Sequence, residues 1–283
     1  MSSPTTVEEY LQQDWTVICS DLAKIDSKLR TSSDEKYTML QYGDKCHSLG
    51  MTPIQRALRG AVVDTKTRKI VSRTYSVPTE IDSSNISLLK DIQFNYLIKI
   101  QSLYDGTMLR LSYFNDKWNL LTNGKFSAYE SIWRNSKSFG KYFDEFITNS
   151  EQFCSSLDRE YTYIFVFCHP DNTIVVNYEQ PTLHLVAKIN NESGREIDAE
   201  PTLDQYINIS PVKYHLIPVS EAIDNALTDK VKDGYIFIQT YDLYKSSTEI
   251  NTKLGSVNTR YRLQSTVYSV SYTHLTLPTI YSV

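Results

Sequence analysis

Apolar and polar side chains alternate from residue 97 onward in the pattern of neighbouring strands. Residues 97–102 and 108–113 predict two strands joined by a tight turn at Asp105-Gly106, because this dipeptide tolerates positive φ. Asn115-Asp116 predicts a second turn, which is followed by a returning strand. The stretch therefore predicts two hairpins in series at the centre of a sheet.

A helical period is present in three other places. Over 5–30 the apolar residues recur at spacings of three and four, which predicts a packing helix with Thr5 or Thr6 as its cap. Ser138 opens an amphipathic segment with an aromatic stripe on one face, which is typical of a core helix. Residues 220–227 predict a further helix in a connecting region.

Two more pairs of strands are predicted from their turns. Residues 56–64 and 69–73 predict a hairpin closed by the polar turn between them. Residues 161–178 predict two strands around a turn at Pro170-Asp171-Asn172. Strand patterns therefore dominate the chain.

The composition narrows the class of protein. The chain has 283 residues, 41% of them hydrophobic and 22% charged, which is ordinary for a globular protein with a sizeable core. Its 21 tyrosines and nine glycines favour a β-rich fold. The net charge of −4 means that nucleic acid binding would require a local basic face. No apolar stretch approaches about 20 residues, so we expect neither a signal peptide nor a membrane span.

The cysteines favour a reduced, intracellular protein. Cys19, Cys46, Cys154 and Cys168 have no CxxC pairing and lie among apolar or aromatic neighbours. Cys46 and Cys168 are each followed by a histidine and could each supply half of a zinc site. Buried thiols beside incidental histidines are the simpler interpretation.

The segment Leu103-Tyr104-Asp105-Gly106 resembles the Lys-x-Asp-Gly motif of covalent nucleotidyltransferases, the superfamily of ATP-dependent RNA ligases, DNA ligases and capping enzymes. The chain is similar to the branch typified by phage RNA ligase of the first type. In this family the motif lysine takes AMP as a phosphoramidate. Here Leu103 occupies the position of that lysine, while Asp105 and Gly106 keep the rest of the motif.

Earlier and later segments resemble other family motifs in the same order. Arg59-Gly60 matches an Arg-Gly hairpin whose arginine faces the nucleotide phosphates. Without the resemblance, Arg59 belongs to a solvated, charged hairpin. Lys125 lies in a segment that returns toward the nucleotide pocket in ligases, so it is expected either to face a phosphate or to be a plain surface lysine.

In the family a glutamate between two aromatic residues of a strand holds the ribose. Val166 takes its place here, so the ribose hydrogen bonds are expected to be missing. Phe165 or Phe167 is expected either to stack on adenine or simply to pack within the strand.

The last two motifs are partly kept. Asp233-Gly234 resembles a Glu-Gly motif whose acid acts near the metal, although an ordinary Asp-Gly turn is almost as good an interpretation. Arg262 keeps one of the two cations that bind the nucleotide phosphates in the final motif. Gln264 replaces the other cation.

The resemblance implies an α+β nucleotidyltransferase fold, an ATP-grasp-like ligase adenylation domain of antiparallel sheets with flanking helices. We expect an N-terminal helical segment over 1–36 and the nucleotidyltransferase-like domain over 37–269. Residues 270–283 resemble a translated transposase sequencing adapter and are expected to lie outside the fold. The gene is expected to be cut there, so the C-terminal domain that ligases carry is expected to be absent.

A leucine at position 103 cannot form a phosphoramidate, because that bond requires an amine. Together with the changes at Val166 and Gln264, this predicts a ligase-like protein that binds nucleotide or RNA ends without adenylylating itself. One alternative is a working RNA ligase with another nucleophile, with ATP as cofactor and with Asp233 and Asp105 assisting Mg²⁺. A second alternative is a structural or protein-binding module with an empty cleft.

The hairpin that bears Arg59, Lys66, Arg68 and Lys69 is the candidate surface for RNA. No motif that reads bases is recognisable, so no argument about sequence specificity follows from the sequence. The family branch suggests a large DNA virus or a phage as the source.

Overall fold

A computed structural model of the protein describes residues 4, 6–25, 27–42, 51–92, 98–132, 137–197, 203, 205–246 and 251–276. They form two sheets with helices packed against them. The helices are α1 (Val7–Leu11), α2 (Trp15–Ala23), α3 (Pro53–Leu58), α4 (Ser87–Ile92), α5 (Phe139–Asp144), α6 (Ser150–Ser156), α7 (Val219–Leu227) and α8 (Thr266–Thr276). The strands are β1 (Ser27–Thr31), β2 (Tyr37–Tyr42), β3 (Val62–Asp64), β4 (Ile70–Ser72), β5 (Thr79–Ile81), β6 (Ile98–Ser102), β7 (Thr107–Phe114), β8 (Lys117–Thr122), β9 (Tyr161–Cys168), β10 (Thr182–Asn190), β11 (Glu196–Ile197), β12 (Tyr214–His215), β13 (Gly234–Ser246) and β14 (Asn251–Gln264).

The smaller sheet has the antiparallel order β1-β2-β3-β4 and shares a core with α1, α2 and α3. The single helix predicted over 5–30 is wrong in its length. Asp14 caps α2 by accepting a hydrogen bond from the Thr16 amide, so a new helix begins there, and β1 pairs with β2. The spacing of three and four runs through both helices, which hides the break between them.

The predicted hairpin over 56–73 is shorter than expected. Residues 53–58 form α3, because Thr52 and Gln55 make a capping box and Pro53 stands at the first helical position. Only β3 and β4 pair as a hairpin, with the polar turn between them as predicted. Arg59 therefore lies at the end of a helix rather than on a strand.

The larger sheet has the order β12-β6-β13-β14-β11-β10-β9-β7-β8, and β5 adds to β14 as a parallel strand. Helices α5 and α6 pack on β7, β9 and β10 through a core of aromatic and aliphatic side chains. Helices α4 and α7 pack on β6, β13 and β14. The predicted helices that begin after Ser138 and near residue 220 are present, and the α+β class of antiparallel sheets with flanking helices is confirmed.

The tight hairpin predicted at Asp105-Gly106 is wrong, although both of its strands exist. Strand β6 pairs with β12 and β13, whereas β7 pairs with β8 and β9. The segment between them crosses from one part of the sheet to another. The second turn is correct, since Asn115 and Asp116 have φ values of 53° and 57° and close the β7–β8 hairpin.

Two further predictions concern the turn after β9 and the boundary at residue 270. After β9 the chain turns at Pro170–Asn172 as predicted, but the next strand is β10, so the strand expected before Tyr178 is wrong. The boundary predicted at residue 270 falls inside α8.

Among the described residues, no helix combines the length and the hydropathy that a membrane crossing requires.

Candidate functional site

A cavity of about 300 Å³ is lined by residues of β6, β13 and β14 together with residues of β7, β9 and β10. Five positions that the sequence singled out separately meet at this cavity. They are Arg59, Leu103, Gly106, Val166 and Arg262. The structure therefore brings these five matched positions into one place.

Leu103 reaches the cavity wall because β6 ends one residue before it. Its amide donates a hydrogen bond of 3.1 Å to the carbonyl of Gly234, which holds the chain against β13. Ser102 points to the other face of the sheet, where its hydroxyl lies 2.8 Å from Nε2 of His215 and where its register partner Tyr235 also lies. The side chain of Leu103 is half-buried at the wall.

Gly106 is required by the close approach of β7 to β9. A Cβ atom at this position would lie 2.4 Å from the carbonyl oxygen of Phe167 and 2.8 Å from Sγ of Cys168. Because the first of these neighbours is backbone, no side-chain rotation can relieve the clash. The glycine of the Asp-Gly pair thus has a packing role that needs no ligand.

Asp105 is an anchor inside the protein rather than a wall of the cavity. It is 4% exposed, and its Oδ2 accepts hydrogen bonds of 2.7 Å from the amides of Val175 and Val176. Its Oδ1 accepts a hydrogen bond of 2.8 Å from the hydroxyl of Tyr268, and its own amide donates to the hydroxyl of Tyr178. These contacts tie the motif to a loop and to the start of α8.

Asp233 lies beside this anchor. The hydroxyl of Tyr178 donates a hydrogen bond of 3.3 Å to its Oδ2. Burial, followed by the charge of Asp105, raises the pKa of the Asp233 carboxyl to about 6. In the part of the chain that the structure describes, no group of three or more histidine, cysteine, aspartate or glutamate side chains is arranged to hold a metal ion.

Two of the three guanidinium groups that line the cavity are held by carboxylates. Arg262 on β14 contacts Glu80 of β5 twice, from Nε to Oε2 at 2.9 Å and from Nη2 to Oε1 at 2.6 Å. Arg260, two residues earlier on the same face of β14, contacts Glu196 of β11 at 2.6 Å. Its guanidinium also lies 4.4 Å above the ring of Tyr75.

Arg59 differs from these two arginines. It ends α3, and Gly60 then takes a φ of +76° that turns the chain into β3. The side chain of Arg59 is exposed, and no hydrogen bond or ion pair joins it to another described residue. Its charge is therefore available to an anion in the cavity.

Three predicted nucleotide contacts lie elsewhere. Phe165 and Phe167 are fully buried in the core beneath α5 and α6, on the face of β9 opposite to Val166, and neither lines the cavity in the described part of the chain. Lys125 is not one of the described residues that line the cavity. Its ammonium group donates a hydrogen bond of 2.6 Å to the carbonyl of Glu130.

Several residues of the site were missed from the sequence. Strand parity could have found Arg260, because it shares a face with Arg262. Glu80, Glu196 and Tyr178 have no local signal. Glu80 and Glu196 reach the site because β5 and β11 pair with β14, and Tyr178 reaches it from the segment between β9 and β10.

The chain superposes on an archaeal ATP-dependent RNA ligase with a TM-score of 0.56 and 14% identity, over 93% of this chain and 64% of that chain. A putative ATP-dependent DNA ligase from Aquifex aeolicus gives a TM-score of 0.53 and 13% identity, over 94% of this chain and 68% of that one. The fold is that of the ATP-dependent ligases. This confirms the nucleotidyltransferase fold expected from the motif series.

No protein-family model matches the sequence. The chain is 27% identical to an immediate-early protein ICP-46 homolog of Invertebrate iridescent virus 3 over an alignment of 128 residues that covers 42% of the chain. That stretch corresponds to 29% of the viral protein, and the chain spans just under two thirds of the archaeal ligase. Similarity of this extent describes the fold and leaves the activity of the chain to its own residues.

Proposed function

We propose that the protein uses the ligase fold to bind a nucleotide or an RNA end and does not adenylylate itself. The observation that carries this proposal is Leu103 on the cavity wall, at the position that the resemblance to the phage branch gives to the nucleophilic lysine. A hydrocarbon side chain cannot attack phosphorus at any pH. The cationic cavity around it can still hold an anion.

The composition of the cavity wall supports this proposal over an active ligase. No lysine lines the cavity in the described part of the chain, so a substitute amine has no candidate there. Ser102 is adjacent to Leu103, but its hydroxyl is engaged with His215 on the opposite face of the sheet. Among the described lining residues, a working RNA ligase would therefore have to use a hydroxyl group, of Thr74, Tyr75, Ser102 or Tyr104, instead of an amine.

Covalent self-labelling tests the proposal. The protein and its Leu103→Lys variant are incubated with α-labelled ATP and Mg²⁺, denatured, and examined for label on the chain. We expect no label on the natural sequence, because an amine is required. Label on the natural sequence would instead show that another residue is the nucleophile.

Binding is measured in parallel by the shift in melting temperature with added nucleotide, since a ligand that binds only the folded state raises the apparent stability. Protection without label is the expected combination. Neither protection nor label, in both proteins, would favour the third hypothesis of a structural module with an empty cleft.

For an RNA partner, the candidate surface is the turn between β3 and β4. Arg68 is partly used within the protein, because its guanidinium lies 3.9 Å above the ring of Trp15. Lys66 and Lys69 are exposed on the same turn and can approach phosphates from solvent. We infer that these two lysines contribute most of the charge that the hairpin offers to RNA.

A further inference from the structure

The positive charge available to a ligand in the cavity is smaller than its three arginines suggest. The two ion pairs, Arg260 with Glu196 and Arg262 with Glu80, are each neutral as a unit. Of the three arginines, Arg59 alone has no hydrogen bond or ion pair with another described residue. A ligand in the cavity therefore meets a net charge close to that of one guanidinium group.

The cavity lacks the groups that a triphosphate and its metal ion require. Magnesium is usually held by one or two carboxylates together with the phosphates of the ligand. No carboxylate lines the cavity in the part of the chain that the structure describes, and Asp105 already accepts three hydrogen bonds from the protein. Without the metal ion, the second and third phosphate groups would bring charge that nothing in the described lining compensates.

A monophosphate fits better. One bidentate arginine offsets roughly half to two thirds of its charge of about −1.5 to −2 at neutral pH. The cavity volume of about 300 Å³ is at the lower end of the usual range for ligand pockets. Leu103, Val166 and Ile236 give the wall an apolar part that suits the flat face of a base.

We propose that the cavity is selective for a nucleoside 5′-monophosphate, with its phosphate on Arg59, over a nucleoside triphosphate with magnesium. This inference rests on the proposed function, because it assumes that the cavity binds a nucleotide. Glu80 is the residue that sets the selectivity, because its ion pair occupies Arg262, the more accessible of the two paired arginines. The side chains of Arg262 and Glu80 are 39% and 40% exposed, whereas those of Arg260 and Glu196 are 4% and 15% exposed.

Isothermal titration of the unmodified protein with AMP, with ATP, and with ATP plus Mg²⁺ tests the order of affinity. We expect AMP to bind at least about tenfold more tightly than ATP alone, which corresponds to one uncompensated charged contact. We also expect AMP to bind more tightly than ATP with Mg²⁺, because the metal ion finds no carboxylate in the described lining. Equal or tighter binding of either form of ATP would overturn the inference while leaving the proposed function in place. Absence of binding by all three would contradict the proposed function itself.

Glu80→Gln tests the cause of the selectivity. It removes the counter-charge of Arg262, so the affinity for ATP should rise about five- to tenfold relative to that for AMP. Glu221→Gln on the exposed side of α7 removes the same charge away from the cavity and should leave the ratio unchanged. An unchanged ratio in Glu80→Gln, or an equal change in both variants, would overturn the charge argument.

Arg59→Ala and Arg59→Lys complete the design. The alanine variant should lose at least about tenfold in AMP affinity, and the lysine variant should recover part of that loss as a point charge without the bidentate geometry. AMP binding that is insensitive to both substitutions would contradict a phosphate on Arg59.

Discussion

The hydroxyl of Tyr268 donates a hydrogen bond of 2.8 Å to Oδ1 of Asp105, which lies 163 positions earlier in the chain. This contact joins the start of α8 to the segment between β6 and β7. The carboxylate of Asp105 is buried and depends on this donor and on the amides of Val175 and Val176. Two parts of the chain that are distant in sequence, the segment at 175–176 and the start of α8, thus hold the Asp-Gly motif in place.

Tyr268→Phe should lower the free energy of unfolding by about 1–2 kcal/mol, because a buried carboxylate loses one of its donors. Denaturation in urea measures the change. Tyr129→Phe is the matched control, since the Tyr129 hydroxyl also contacts a carboxylate, that of Asp144, but the residue is 50% exposed. The control should lose less than about 0.5 kcal/mol. Equal losses in the two variants would contradict the anchoring role of Tyr268.

Gly106→Ala should destabilise the protein by more than about 2 kcal/mol, because the new methyl group would overlap the backbone of β9. Thermal unfolding measures the loss. Gly124→Ala is the comparison, since its Cβ would meet only the flexible end of Gln41 at 3.3 Å. A tolerated alanine at position 106 would mean that β7 and β9 can separate without cost.

Local patterns predicted the elements of this fold better than they predicted their pairing. The β7–β8 hairpin was predictable because its two strands are joined by two residues that accept positive φ. The Asp105-Gly106 segment has the same local signature but joins strands that pair with other partners. Long-range pairing decides between these outcomes, and no single short segment carries that information.

The site was predictable where a position follows from strand parity or from the motif series. Val166 and Phe167 are neighbours on β9, so only one of them can face the cavity, and the alternation of the strand places the phenylalanine in the core. Glu80 could not be found in this way. It reaches Arg262 through the parallel pairing of β5 with β14, which joins segments far apart in the sequence.

The raised pKa of Asp233 makes the stability of the protein depend on pH. Burial and the charge of Asp105 raise the pKa of this carboxyl from 3.8 to about 6, so the folded protein binds the proton more tightly than the unfolded chain does. The resulting stabilisation is complete below pH 3.8 and is lost as the pH rises through 6. Discounted for partial solvent access, ionisation of Asp233 costs about 1–2 kcal/mol at neutral pH.

Asp233→Asn removes that cost and keeps an acceptor for the Tyr178 hydroxyl. Its free energy of unfolding at about pH 7.5 should exceed that of the natural sequence by about 1–2 kcal/mol, and the difference should shrink at about pH 4.5. Urea denaturation at both pH values measures it. Asp116→Asn in the exposed β7–β8 turn is the control and should change little at either pH. A difference that does not depend on pH would show that Asp233 does not titrate in this range.

Removing the charges of Lys66 and Lys69 tests whether the β3–β4 turn meets RNA. If each lysine neutralises one phosphate, the double alanine variant should bind single-stranded RNA more weakly, and the slope of log affinity against log salt should fall by about 1.4. Fluorescence anisotropy with oligonucleotides of different sequence should show the same loss for all of them, because phosphate contacts carry no base information. Lys90 in α4 and Lys230 just after α7 are both exposed, and their double alanine variant provides a control with the same change in net charge. An equal fall in slope for the two pairs would mean that overall charge, and not the turn, governs the affinity.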